Sequence, residues 1–173
     1  MMGHIGQLVT LDKTAYIHET AYLYGKVYLG PGTSVWPNVV MRAEMQEIHI
    51  GARTNLQDFV MVHVGNTTPT IIGEDCSITH HTTLHGCTVG DRCLIGINAT
   101  LMDGCQIGDN SIVAGHTIVT EGKIFPANSI IAGVPGKLVG TRDNSEANLA
   151  NADFYHRNAL NYAQGIDRME PYS

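Results

Sequence analysis

Aliphatic residues return along this chain at every sixth position. Dipeptides of an aliphatic residue followed by glycine recur as Leu29-Gly30, Ile50-Gly51, Ile72-Gly73, Val89-Gly90, Ile95-Gly96 and Ile107-Gly108. Stepping by six from them gives the triplets Leu11, Ile17, Leu23; Leu29, Val35, Met41; Ile50, Leu56, Val62; Ile72, Ile78, Leu84; Val89, Ile95, Leu101; and Ile107, Val113, Val119, followed by Ile124 and Ile130. A helix repeats at 3.6 residues and an ordinary strand at 2, so neither produces this pattern. Three sextets per turn fit a parallel β-helix with three short flat faces, each sixth residue pointing inward. The fourth residue after each aliphatic is mostly small, as at Ala21, Thr33, Thr54, Cys76, Thr82, Cys93, Ala99, Cys105, Ser111 and Thr117, and such side chains fit inside the corners. Three of the four cysteines fall in that column and no CxxC pair exists, so packing explains them without disulfides or metal.

The register slips in a few places. Three extra residues fall between Met41 and Ile50 and four between Val62 and Ile72, while one is missing between Leu84 and Val89 and one between Val119 and Ile124. Insertions on a solenoid become loops, often on the binding face. Both of these leave the coil after its third sextet, which puts them on one edge, one rung apart. The ladder ends near Ala132-Gly133-Val134-Pro135-Gly136-Lys137. Beyond it, Asp143 and Glu146 have the spacing of a capping box, and Leu149, Ala152, Ala159, Leu160 and Ala163 form a stripe, predicting a helix from about Ser145 to Gln164 along the prism. The expected organisation is all-β: a β-helix domain over residues 1–140, then a C-terminal α-helix and tail over 141–173 packed on it, with Asp167 to Ser173 as a frayed end.

Composition agrees with this architecture. Charged residues are 15% of the chain and glycine is 19 of 173 residues, against usual shares of about 25% and about 7%. Turns and flat buried faces account for both. The net charge of −6 offers no basic surface to a phosphate backbone, so nucleic acid is set aside as a partner. No apolar run approaches the roughly 20 residues that span a bilayer, and the first residues do not read as a signal peptide. A cytoplasmic protein without a membrane partner is the expectation.

The nine histidines gain meaning once placed on the ladder. His63 follows Val62 and His85 follows Leu84, so both point outward from one column, in rungs about 4.8 Å apart. That is close enough to share a zinc ion with bonds of about 2.0 to 2.1 Å. His80 follows Ile78 by two, on a different face or corner, and cannot readily reach the same ion within one chain. A copy related by threefold symmetry could present it, because a cyclic trimer juxtaposes two different faces of the prism. The frame thus predicts three ligands split between two protomers of a homotrimer. Periodicity alone leaves His80 and His81 both open as the third. Arg42 lies in the His63 column one coil earlier, Asp58 lies under His80 as a possible tautomer-fixing acceptor, and Arg42 with Glu44 could instead pair between subunits. Corner-turn chemistry is the plainer reading of Asn55 and Asp58.

The combination of Arg42-Ala43-Glu44, Asn55-Leu56-Gln57-Asp58, His63, Ile72-Gly73-Glu74-Asp75 and the run His80 to Cys87 closely resembles the gamma-class carbonic anhydrase family of hexapeptide-repeat proteins, over about residues 10 to 140. The resemblance implies a left-handed β-helix, a homotrimer, and a metal held by three histidines across the interface. It selects His80 as ligand, five residues before His85, which precedes Gly86-Cys87 as the family pattern requires. Thr79 replaces the usual glycine of that pattern. Asn55, Gln57 and Asp58 match the family's NxQD motif, in which the glutamine orients metal-bound water, and Tyr162 matches a tyrosine that approaches the site.

The implied function is zinc-dependent hydration of carbon dioxide to bicarbonate by a metal-bound hydroxide, with Fe2+ or Co2+ also suited to three imidazoles. The family's Arg-x-Asp reads Arg42-x-Glu44 here. The loop from Val64 to Pro69 lacks the proton-shuttling glutamate of the best-studied members, which puts turnover in question and leaves Glu44, Glu47 or His81 as shuttle candidates. Two alternatives belong to other classes: a non-catalytic metal-binding homotrimer, and a CoA-dependent hexapeptide acyltransferase, whose relatives share Gly133-Val134-Pro135-Gly136-Lys137.

Overall fold

The computed structural model describes residues 4–168; residues 169–173, most of the expected frayed end, lie outside the described residues. The sextets become strands mostly two or three residues long, each paired in parallel with the strand one coil away. On the first face Leu11, Leu29, Ile50, Ile72, Val89, Ile107 and Phe125 stack in register. The second face stacks Ile17, Val35, Leu56, Ile78, Ile95, Val113 and Ile131. The third stacks Ile5, Leu23, Met41, Val62, Leu84, Leu101 and Val119. Together they make a left-handed parallel β-helix of about 7 turns, closed by one C-terminal helix. The inward aliphatics from Leu23 to Val119 are almost wholly buried and form one continuous core.

The small-residue column is buried as expected and also carries hydrogen bonds. Thr54 Oγ1 donates to Gly73 O (2.7 Å) and accepts from Cys76 N (3.0 Å), while Ser129 N donates to Ser111 Oγ (3.0 Å). The Cys76 and Cys93 thiols donate to Gly90 O and Gly108 O in the same way. All four cysteines are free and buried. Small polar side chains therefore satisfy backbone groups that the tight corners leave over.

Two expectations about the ladder need correction. The ladder does not lose a residue after Val119: the next rungs are Phe125 and Ile131, six residues apart, and Ile124 is 68% exposed where Phe125 is 9%. An aromatic ring filled the place reserved for an aliphatic. The insertion after Met41 is not a free loop, because Val40–Ile50 is one strand wrapping from the third face to the first along Tyr22–Leu29. Its extra residues form a bulge over 44–47, between the pairs Gly25–Ala43 and Val27–Ile48. Only the second insertion, after His63, is a loop. The two do share an edge.

The helix spans Ser145–Ala163, with Asn144 at its N-cap and no side-chain cap bond, so Asp143 and Glu146 make no capping box. Nor does the predicted stripe hold throughout. Ala152 and Ala159 are buried, whereas Leu149 and Leu160 are exposed. The second face that receives the helix presents Ser34, Asn55 and Ser77, so polar anchoring replaces leucine packing. Asn148 Nδ2 donates to Arg92 O (2.8 Å) and Ser111 O (3.3 Å), and the Trp36 ring meets Tyr155 and Tyr162 edge-on. Among the described residues no helix is long and apolar enough to cross a membrane.

The register gives Ile131 and Ile124 opposite weights in stability. Ile131→Ala should cost about 2–5 kcal/mol by leaving a core cavity, and Ile124→Ala no more than about 0.5 kcal/mol, both read by chemical denaturation.

Candidate metal centre

His63 and His85 occupy the ends of Met61–His63 and Thr83–His85, which pair in register with Val62 and Leu84 inward and both imidazoles outward. Their ring centroids are 5.0 Å apart, and His63 Nδ1 faces His85 Nε2 at 3.1 Å. Two nitrogens bound to one tetrahedral zinc at 2.0–2.1 Å stand about 3.3 Å apart, so the pair is spaced like ligands of a single ion.

The other ring nitrogens are taken by carboxylates. His63 Nε2 lies 3.0 Å from Glu44 Oε2, and His85 Nδ1 lies 3.0 Å from Asp103 Oδ2. A carboxylate accepts and does not donate, so these contacts assign the protons to His63 Nε2 and His85 Nδ1. The two nitrogens facing each other then both carry lone pairs. Such an arrangement favours a cation between them, and the donor set fits a divalent metal that takes imidazole.

His80 stands apart, in the turn between the second-face strand Ser77–Ile78 and the third-face strand Thr83–His85. Its Nδ1 meets Asp58 Oδ2 at 3.0 Å, which leaves Nε2 as the free nitrogen. Among the described residues, no single-chain group of three or more His, Cys, Asp or Glu could hold a metal; two candidate ligands meet and the third lies at a corner. All three nonetheless share one device, a carboxylate on the nitrogen opposite the free one. His81 has a different environment: with φ of 60° it forms the corner turn, and its ring stacks flat on Phe59 at 4.9 Å.

Arg42 and Glu44 form an ion pair within the chain, and Glu44 uses its second oxygen for His63. The additional methylene relative to aspartate thus bridges arginine and imidazole. Burial is the largest influence on the Glu44 carboxyl and acts upward. A backbone hydrogen bond, the His63 ring and the Arg42 guanidinium outweigh it and hold the group below the ordinary glutamate value. Glu47 is engaged elsewhere, with Lys26 and His49.

Asn55 and Gln57 flank Leu56 on the second face and are buried, Gln57 being 2% exposed. Gln57 Nε2 donates to Asn55 Oδ1 (3.0 Å), and Asn55 Nδ2 donates to Ser77 Oγ (2.9 Å) and Cys76 O (3.1 Å). Asn55 is therefore a buried strand residue with no turn role, while Asp58 does sit at a corner. Tyr162 packs against Trp36 and Tyr16, low on the prism. The helix tyrosine that feels Asp58 is Tyr155: burial first, then that carboxylate, raises its phenol above the ordinary tyrosine value.

Neither Tyr155 nor Asp103 lies in the histidine columns of the sequence. Asp103 falls two places after Leu101 and reaches His85, one place after Leu84, diagonally across a rung. The matching offset of Asp58 and His80 was the only available signal for such a partner. His63, His85, Asp103 and the loop residues Asn66 to Thr68 line a cleft of about 300 Å3. A wider groove of about 650 Å3 lies beyond Glu44, between the 44–47 bulge and Pro69.

Comparison with known proteins places this arrangement. The bacterial transferase hexapeptide family matches residues 86–121. A probable carbonic anhydrase of Methanocaldococcus jannaschii is 44% identical over 162 residues, covering 94% of this chain and 99% of that protein. Gamma carbonic anhydrase 1 of Arabidopsis thaliana, a mitochondrial protein, is 38% identical over 108 residues, which are 59% of this chain and 39% of its own length. The matched region therefore spans about two fifths of that relative. A solved hexapeptide transferase family protein from Anaplasma phagocytophilum superposes with a TM-score of 0.85 at 30% identity, covering 89% of this chain and 92% of that one. With a near end-to-end match to the archaeal protein added to the ladder and its histidine pair, the chain belongs to the gamma carbonic anhydrase family of hexapeptide-repeat proteins.

Proposed function

We propose that this protein hydrates carbon dioxide to bicarbonate at a zinc ion held by His63 and His85 of one subunit and His80 of a neighbour, in a cyclic homotrimer. The observation that carries this reading is the pair of imidazole nitrogens facing each other at 3.1 Å, each ring fixed from behind by a carboxylate. The name of the archaeal relative supplies the reaction class. Fe2+ and Co2+ suit the same three imidazoles. When bound, the metal supplies the Lewis acidity that makes hydroxide available near neutral pH.

The chain's own residues have separable tasks. Glu44, Asp103 and Asp58 hold the three rings in the tautomer that turns a lone pair toward the site, and Arg42 holds Glu44. Asn55 accepts a hydrogen bond from the amide nitrogen of Gln57 and so leaves the Gln57 carbonyl oxygen to accept a hydrogen bond from water. Tyr162 anchors the helix on Trp36, and Tyr155 closes the side of the site near Asp58. Proton exit falls to His81, since Glu47 is occupied by Lys26 and His49 and Glu44 by Arg42 and His63.

Acyl transfer is the second reading, favoured by the transferase family of the Anaplasma structure. It needs one histidine as a base and gives no reason for two rings to present lone pairs to each other.

Metal analysis joined to stopped-flow hydration separates the readings. The expected result is about one zinc per subunit, hydration abolished by chelation and restored by zinc, and loss of both metal and activity in His63→Ala. Bound metal without hydration would leave a metal-binding trimer. No metal, with a trimer indifferent to His63→Ala, would remove the site.

A further inference from the structure

The Asp103 carboxylate is itself oriented. Its Oδ2 accepts from His85 Nδ1 (3.0 Å), while its Oδ1 accepts from Thr68 Oγ1 (2.9 Å) on the loop that follows His63. Space for this pair is provided by two glycines. A Cβ at Gly65 or at Gly86 would collide with both Asp103 Oδ1 and Thr68 Oγ1. Gly86 also has a positive φ of 57° and binds both neighbouring segments, its N–H donating to Thr70 Oγ1 (2.9 Å) and to His63 O (3.2 Å). The backbone therefore encloses the Thr68–Asp103 contact from two sides, immediately beside His85. Asp103 is held in turn by its own corner, where Gly122 N donates to Asp103 O (2.9 Å) and Gly104 N to Gly86 O (2.7 Å).

We propose that Thr68 and Asp103 are positioning residues which select the Nδ1–H tautomer of His85 and so aim its Nε2 at His63, making the short loop a part of the metal grip. The inference rests on the function proposed above for its purpose, though the tautomer selection itself needs no metal. A free imidazole has a choice of which nitrogen keeps the proton, and an anionic acceptor beside Nδ1 removes that choice. Thr68 adds a second level of control. With one oxygen committed to the hydroxyl, the carboxylate cannot rotate away from the ring. The same contact joins the loop over residues 64–69 to the rung that carries His85, so loop and ligand are fixed together.

The geometry makes a distinctive statement about Asp103→Asn. Thr68 can accept a hydrogen bond as well as donate one, so it should take the new amide nitrogen and leave the carbonyl oxygen facing His85. Removing the hydroxyl as well, in Thr68→Val with Asp103→Asn, should free the amide to turn.

The test uses the full-length, metal-free protein with 15N-labelled histidine, reading the His85 tautomer by long-range NMR correlation. A second reading follows zinc release to a chelator from the zinc-loaded protein. Wild type and Asp103→Asn are expected to keep His85 as Nδ1–H. Asp103→Ala and the Thr68→Val, Asp103→Asn double variant should move it toward Nε2–H and weaken zinc retention about 10- to 100-fold. Should Asp103→Ala not fold, the comparison of Asp103→Asn with and without Thr68 decides alone. The proposal is overturned if the tautomer is the same in all variants, or if Asp103→Asn behaves alike in both backgrounds. Wild-type protein that takes up no zinc but shows the expected tautomers would end the proposed function while supporting the positioning role.

Discussion

Parallel stacking of successive coils in strict register is the constraint from which everything else in this molecule follows. Each backbone amide of a flat face donates to the rung next to it, about 4.8 Å away, so any residue type repeated in a column becomes a stack of neighbours. For inward columns the result is an unbroken aliphatic core from Leu23 to Val119. For the outward column after each third-face aliphatic, the same rule brings Arg42, His63 and His85 into adjacent rungs. No long-range search of conformational space is needed to assemble that row. The site is a by-product of the pairing that stabilises the fold, and whatever shifts the register by one residue would turn every one of these side chains inward.

Electrostatics then specifies what the row can hold. Imidazoles stacked in adjacent rungs could share a proton, stack as aromatics or bind a cation. The carboxylates of Glu44 and Asp103 narrow that choice by taking one nitrogen of each ring, and Asp58 does the same for His80. Three carboxylates arriving from three different elements at three histidines is more second-layer organisation than surface histidines require. The irregular parts of the solenoid serve this purpose. The 44–47 bulge begins at Glu44, the loop after His63 delivers Thr68, and Gly86, where one residue is skipped between Leu84 and Val89, lies against Thr68 and Asp103.

Much of this was legible in the sequence because the period of six is local. The histidine columns, the small corner residues and the shared edge of the two insertions follow from counting alone. What escaped has physical causes. Phe125 is not visible to a ladder of aliphatics because an aromatic ring takes the inward place beside Ile107. Asp103 pairs with His85 through a diagonal between columns, and counting along one column cannot see it. The helix stripe was misjudged at Leu149 and Leu160 because amphipathic patterning assumes an apolar target, whereas the face under the helix is lined by Ser34, Asn55 and Ser77 and is met by Asn148 and alanine. The bulge over 44–47 looked like a loop because an insertion length does not say whether its ends stay paired.

Whether one metal site is built from two chains, as proposed, is decided by subunit complementation. His80→Ala chains retain His63 and His85, and His63→Ala chains retain His80. Unfolded together in equal amounts and refolded, they should form mixed trimers in which one interface of three is complete, restoring zinc binding and hydration to about a quarter of the wild-type level. Either variant refolded alone should show neither. No recovery on mixing, although mixed trimers form, would show that His80 of one subunit does not complete a site with His63 and His85 of its neighbour.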